Sequence, residues 1–252
     1  MGQVPAATRA LRVLRFLAGQ PDPVTLDRLA KAVGIPRSTA YHLVNAMIDE
    51  GFVVHLPEEH RYGLGVAAFE VGSGYSRQAP LQRIAGRHRA SLVDRVGHSA
   101  HLAVLHGRDV LYVLEERAPG RPPLVTDVGV RLPAQLTASG RAILAALPQN
   151  QVRALFPDRS AFVDRHGTGP MSLSALRTLL TETRQRGYAI EEGEVTPGFA
   201  SVAAAVFDHN SLPAAGIAVT YPVGAGVDAM PLVESTRHTA ELVSRRIGGR
   251  SA

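Results

Sequence analysis

The chain has no cysteine. That absence excludes disulfides, thiolate metal sites and cysteine nucleophiles together, and it suits a reducing cytosol. Uninterrupted apolar runs of about 18 residues are also missing, so no segment reads as a membrane-spanning helix. No apolar secretory stretch stands at the N-terminus. These absences predict a soluble, cytoplasmic protein with no membrane partner. There is no internal repeat and no low-complexity tract. Lysine is all but absent. Lys31 stands alone among 27 lysines and arginines, a bias of composition rather than of function.

Catalytic and cofactor patterns are missing too. Gly63-Leu64-Gly65-Val66-Ala67-Ala68 has a dinucleotide-binding spacing, but the run before it is short and amphipathic. The acidic residue needed about 20 positions later is not there. His98, His101 and His106 do not make a metal site. On a strand the first two point to opposite faces, and no carboxylate cluster joins them. Asp94, His98 and Ser99 lack a nucleophile turn and an oxyanion loop. No catalytic residue, metal or cofactor is expected.

What is present is a strong local pattern. Leu26, Leu29, Ala30 and Val33 fall on one helical face. Gly34-Ile35-Pro36 breaks the helix. A second helix over about 37–50 turns Ala40, Leu43, Val44 and Met47 inward. Ser38, Tyr41, His42, Asn45 and Asp49 form the opposite stripe, and Gly51 ends the helix. This is a helix-turn-helix whose second helix suits a DNA major groove. Phe52 to Leu56 and Arg61 to Leu64 then read as two strands around the turn Pro57-Glu58-Glu59-His60, a wing. One more helix, from Thr8 to Ala18, precedes the motif with Ala10, Val13, Leu14 and Leu17 inward.

Charge follows the same plan. The net charge is +5, and its distribution matters more. Residues 1–46 carry Arg9, Arg12, Arg15, Arg28, Lys31 and Arg37 against Asp22 and Asp27 only. Residues 47–80 carry Arg61 and Arg77 against Asp49, Glu50, Glu58, Glu59 and Glu70. Phosphate contacts are therefore expected on the first helices and at the start of the recognition helix. The candidate DNA-contacting residues are Lys31, Arg37, Ser38, Thr39, Tyr41, His42, Asn45 and Arg61. Asn can read adenine through two hydrogen bonds, and Thr can touch a thymine methyl. Glu58 and Glu59 do not suit a phosphate-gripping wing tip, which leaves that work to His60 and Arg61.

With 252 residues, 45% of them hydrophobic, the chain can bury two cores. Residues 1–64 are expected to be the winged helix-turn-helix, 65–79 a linker helix, and 80–252 a second domain. In that domain helices are expected over 81–96, 137–147 with Thr137 as N-cap, 172–186 and 230–247. Strands are expected near 100–105, 110–115, 188–191, 202–207 and 214–220. The fold class is α+β with an antiparallel sheet.

Taken together, the two halves resemble the IclR family of bacterial transcriptional regulators over nearly the whole chain. The runs that carry the resemblance begin with Leu29-Ala30-Lys31-Ala32-Val33-Gly34-Ile35-Pro36-Arg37-Ser38-Thr39 and Arg61-Tyr62-Gly63-Leu64-Gly65. Gln135 through Ala142, Arg184 through Ala189, and Glu191 through Asp208 continue it. The resemblance implies a GAF-like effector domain, a homodimer or homotetramer, and control of nearby genes by a small metabolite. It places effector-lining positions at Ala138, Ser139, Glu191, Ser201, Ala218 and Thr220. A small organic acid or related metabolite is the implied effector, and a palindromic double-stranded DNA operator the implied partner. The chain departs from the family at His42, where Arg is frequent, and at Gln135, where His is frequent. Ser201 replaces a Cys found in some members. Two other readings are a small-molecule enzyme with an appended DNA-binding domain and a winged helix that binds protein. Clustered arginines and the Ser-Thr-x-Tyr-His stripe argue against the latter.

Overall fold

The structure, a computed structural model, describes residues 4–78, 80–120, 124–224 and 226–249. The chain divides into two compact units, Met1–Gln78 and Ala79–Ala252. Among the described residues no helix is long and apolar enough to cross a membrane.

The first unit opens with α1 (Pro5–Ala18). It starts three residues before the expected Thr8, because Pro5 at the first helical position comes with φ already set for a helix. β1 (Val24–Thr25) follows, then α2 (Leu26–Val33) and α3 (Arg37–Asp49). The Thr25 hydroxyl caps α2 by accepting from the Arg28 N–H. Gly34 ends α2 at φ 71°. The N–H groups of Gly34 and Ile35 both reach the Ala30 carbonyl, at 3.0 and 3.1 Å. That turn sets α3 against α2. β2 (Val53–Leu56), a 3-10 turn over Pro57–Glu59 and β3 (Arg61–Leu64) make the wing. The sheet order is β1-β3-β2. The third strand, β1, was not expected, since two residues carry no readable alternation. Val13, Leu17, Leu29, Val33, Ala40, Val44, Met47, Val53 and Tyr62 form the core. α4 (Val66–Gln78) closes the unit.

The second unit runs from α5 (Pro80–Val96) through β4 (Ser99–His106), β5 (Asp109–Glu116) and β6 (Arg131–Pro133) to α6 (Ala138–Ala146). α7 (Gln149–Leu155), α8 (Leu173–Arg186), β7 (Ala189–Glu192), β8 (Phe199–Phe207), β9 (Pro213–Pro222) and α9 (Ala229–Arg246) complete it. The six strands pair antiparallel in the order β6-β5-β4-β9-β8-β7. α7 is an addition to the expected elements. Its single buried residue, Val152, gives no apolar stripe to read.

Strand alternation explains the layering. Ala100, Leu102, Val202, Val206, Ile217 and Val219 face α5 and α9, against Leu92, Val93, Leu232 and Val243. The residues between them face the other way. There Ala203 and Ala218 meet Ala138 and Ala142 of α6, and Ala103 and Tyr112 join a core with Leu136, Ile143, Leu144, Phe156, Leu176 and Leu180. Every residue of Ala138–Ala145 is buried, so α6 is an interior helix. Its closeness to the sheet is set by glycine. A Cβ on Gly216 of β9 would lie 2.7 Å from the Ser139 carbonyl oxygen.

Candidate functional site

The α3 face is built by the 3.6-residue period. Ala40, Val44 and Met47 are buried, which turns Arg37, Ser38, Tyr41 and His42 outward, all exposed. Thr39 and Asn45 are half-buried beside them. Tyr41 is 50% exposed and meets His42 edge to face, ring centroids 5.8 Å apart. Lys31 is exposed on α2. Arg37 pairs with Asp27 at 3.2 Å, with both side chains in solvent, where such a pair contributes little and yields to a phosphate. Arg61 differs from the other candidates. Its Nη1 donates to the Pro23 carbonyl at 2.9 Å, so part of its fork braces the wing against the residues leading into β1. His60, at the wing tip, is left-handed at φ 51°.

The second site lies between the sheet and the start of α6. The six implied positions, Ala138, Ser139, Glu191, Ser201, Ala218 and Thr220, all line one cavity. Each of the five strands β4, β5, β7, β8 and β9 contributes to it. The register makes this so: Glu191 stands opposite Ser201, Ser201 opposite Thr220, and His101 opposite Ala218. His101, Tyr112, Thr126, Thr137, Val195, Thr196 and Phe199 complete most of the wall. Sequence reasoning did not place these residues there. Tyr112 arrives through a bulge between Leu102 and Ala103, which pairs Ala103 with Tyr112 in place of Val113. One inserted residue re-aims the strand's side chains, and simple alternation does not reveal it. The cavity's internal volume is about 10 Å³, room for about one water.

The wall mixes hydroxyls and a carboxyl with apolar side chains, and it is uneven in charge. The Thr137 hydroxyl accepts from the Gly140 N–H at 3.0 Å and caps α6, while the buried Ser139 hydroxyl sits beside the Tyr112 hydroxyl, its hydrogen-bonding neighbour in the cavity. Ser201 Oγ donates to Glu191 Oε1 at 3.1 Å and lies 3.0 Å from Thr220 Oγ1. With Glu191 ionised, Ser201's one proton goes to it, so Thr220 donates to Ser201. The Val195 N–H also reaches Glu191, at 3.3 Å. Burial, then the neighbouring Glu194, pushes the Glu191 carboxyl up to about 7. Burial, with Arg89 and Arg117 nearby, holds His101 down at about 3, so its ring is neutral at physiological pH. Burial raises the Tyr112 hydroxyl above its ordinary range.

Behind the wall, Arg141 of α6 is 2% exposed and makes four hydrogen bonds. Two go to the Glu194 carboxylate, at 2.7 and 3.3 Å, and two to the carbonyls of Gln135 and Ile190, both at 2.8 Å. Sequence spacing carried no sign of this pair, whose members lie 53 residues apart.

A winged helix-turn-helix followed by a domain holding a buried polar cavity defines a transcriptional regulator with an effector-binding domain. Comparison with known proteins makes the family specific. The IclR helix-turn-helix domain matches residues 6–57, and the domain described as "Bacterial transcriptional regulator IclR C-terminal" matches residues 74–245. The chain is 33% identical to the glycerol operon regulatory protein of Streptomyces coelicolor over 95% of both chains. It is 30% identical to the transcriptional repressor IclR of Escherichia coli, over 88% of this chain and 81% of that one. A solved IclR transcriptional regulator from Alicyclobacillus acidocaldarius shares the fold, with a TM-score of 0.84 at 24% identity over 98% of this chain and all of that one. The chain belongs to the IclR family of bacterial transcriptional regulators.

Proposed function

We propose that the chain binds a palindromic operator as a homodimer or homotetramer, and that a small polar metabolite entering the α6 cavity changes its affinity for that DNA. The observation that carries the ligand half is the convergence of six residues from four separate stretches of the chain, at 138–139, 191, 201 and 218–220, on one cavity wall. An organic acid fits the α6 end, where the helix dipole favours an anion and the Ser139 and Tyr112 hydroxyls lie together in the cavity wall. The relative named for the glycerol operon makes a small polyol a further candidate. A cavity of about 10 Å³ has to widen for either. The β7–β8 loop, which lines the cavity with Val195 and Thr196, is the wall we infer to shift. We read the chain as a regulator rather than an enzyme, acting in the cytoplasm.

Two copies suit the recognition helix. α3, with 13 residues, spans about 20 Å and reads few base pairs, which two-fold symmetry doubles. α4 exposes Val66 and Phe69, 72% and 76% open to solvent and one helical turn apart, an apolar stripe that a second copy would cover. Footprinting on a duplex selected from random DNA should show two inverted half-sites. Protection of one asymmetric half-site by a monomer would sink the dimeric reading. On the same duplex, Arg37→Ala should weaken binding to every variant about equally. Asn45→Ala should instead flatten the preference at particular base pairs, where a bidentate contact contributes about 1–3 kcal/mol. If Asn45→Ala leaves every relative affinity unchanged, it does not read bases.

Ser139→Leu tests the cavity. Its side chain overfills a cavity of about 10 Å³, so calorimetric ligand binding and the ligand's effect on the footprint should both vanish; overpacking should lower the domain's melting point by several degrees, while the folded variant keeps the wild-type operator affinity. Unchanged ligand affinity in this variant would place the effector elsewhere.

A further inference from the structure

This inference rests on reading the α6 cavity as the effector site. Glu191 is 3% exposed, and its oxygens are held by Ser201 and the Val195 N–H. The cation nearest in the network is already occupied. Arg141 grips Glu194 through two hydrogen bonds and gives two more to the Gln135 and Ile190 carbonyls. Among the described residues, no other group that faces Glu191 offsets its charge. His101 on β4 is neutral, Tyr112 on β5 and Tyr221 on β9 keep their protons, and Glu194 on its own segment adds negative charge. Ser201 on β8 and Thr220 on β9 supply hydroxyls only. The cluster of Arg141, Glu194 and ionised Glu191 therefore buries one uncompensated negative charge. An anionic ligand would add a second in a closed space, and two carboxylates sharing a site do not both ionise.

We propose that Glu191 makes the cavity charge-selective: a neutral hydroxylated molecule is held as it is, whereas a carboxylate is held only together with one proton, which stays on Glu191. The balance is simple. The carboxylate enters with its charge, one proton comes from solution to a Glu191 oxygen, and the net buried charge does not change. A hydroxyl ligand instead donates to ionised Glu191 and needs no proton. The regulator's answer to an acid effector then weakens as pH rises through neutrality, and its answer to a polyol does not.

Two measurements on the full chain decide this. With glutamate labelled by carbon-13, the Glu191 carboxyl signal, assigned with Glu191→Gln, should titrate near pH 7. A midpoint in the ordinary carboxylate range overturns the proposal whatever binds. Calorimetry then uses glycerate as the anionic probe and glycerol as the neutral one. Around a midpoint of about 7, the protonated share falls from roughly nine-tenths at pH 6 to roughly one-tenth at pH 8. Glycerate should therefore bind about tenfold more weakly at pH 8, with close to one proton taken up there. Glycerol binding should show no such loss, and Glu191→Gln should hold glycerate equally at both pH values. Equal glycerate affinity at pH 6 and 8 in the wild type, without proton uptake, overturns the proposal and leaves the effector-site reading standing. Binding of neither probe, in wild type or in Glu191→Gln, overturns that reading and the proposal with it.

Discussion

Replacing Arg141 by methionine should destabilise the C-terminal domain by about 3–5 kcal/mol, the usual cost of removing one partner of a buried ion pair. Methionine keeps most of the side chain's length, so packing changes little. What is lost is charge and hydrogen bonding. The Glu194 carboxylate loses both contacts, at 2.7 and 3.3 Å, and the carbonyls of Gln135 and Ile190 lose their donors. For a domain of this size the deficit corresponds to a melting point lower by about 10 °C. The double variant Arg141→Met with Glu194→Gln should recover part of it, because no buried charge is then orphaned. Differential scanning calorimetry of the four chains in this cycle reads the coupling directly. Arg141→Met melting at the wild-type temperature would mean that solvent, not Glu194, satisfies the guanidinium.

Gly216→Ala should cost about 1–3 kcal/mol through overpacking alone. Gly216 is not among the left-handed glycines, so backbone strain does not enter. The obstacle is the Ser139 backbone, with its carbonyl oxygen 2.7 Å and its Cα 3.0 Å from the new carbon. Backbone cannot rotate aside as a side chain can, so the first turn of α6 has to lift from β9. The variant should melt several degrees lower and bind effector more weakly, since Ser139 moves with that turn. Gly86→Ala is the matched control. It lies in α5 with nothing within 4 Å of the new carbon, and it should stabilise by roughly 0.5–1 kcal/mol through helix propensity. If both variants melt alike, the close approach of β9 and α6 is not under compression.

The contrast between these two glycines shows where the sequence was readable. Local periodicity placed the recognition helix, because Ala40, Val44 and Met47 repeat on one face and Gly34 and Gly51 punctuate the ends. The same logic found the main strands of the second domain. It did not find β1, whose pairing with β3 depends on residues 36 or more positions away. Nor did it find Tyr112 in the cavity, because a bulge shifts the register by one. The Arg141–Glu194 pair was invisible for a related reason: a buried ion pair between distant residues leaves no periodic trace. His101 illustrates the limit from the other side. Strand alternation set it apart from His98 as if both stood on one strand, whereas β4 begins at Ser99, and it gave no hint that the buried His101 ring would line the cavity.

The alternation of the central strands has a consequence for how such a regulator diversifies. Along β8 and β9, Ser201, Ala203, Ala218 and Thr220 face α6 or the cavity, while Val202, Val206, Ile217 and Val219 pack toward α5 and α9. Neighbours in the chain thus answer to different selective demands. If the cavity is the effector site proposed above, a mutation at Ser201 or Thr220 changes its wall without removing a methyl group from the opposite core. On that reading, new chemical preferences can be explored one side chain at a time on a scaffold that keeps folding, so a lineage built on this sheet can change its ligands faster than its fold.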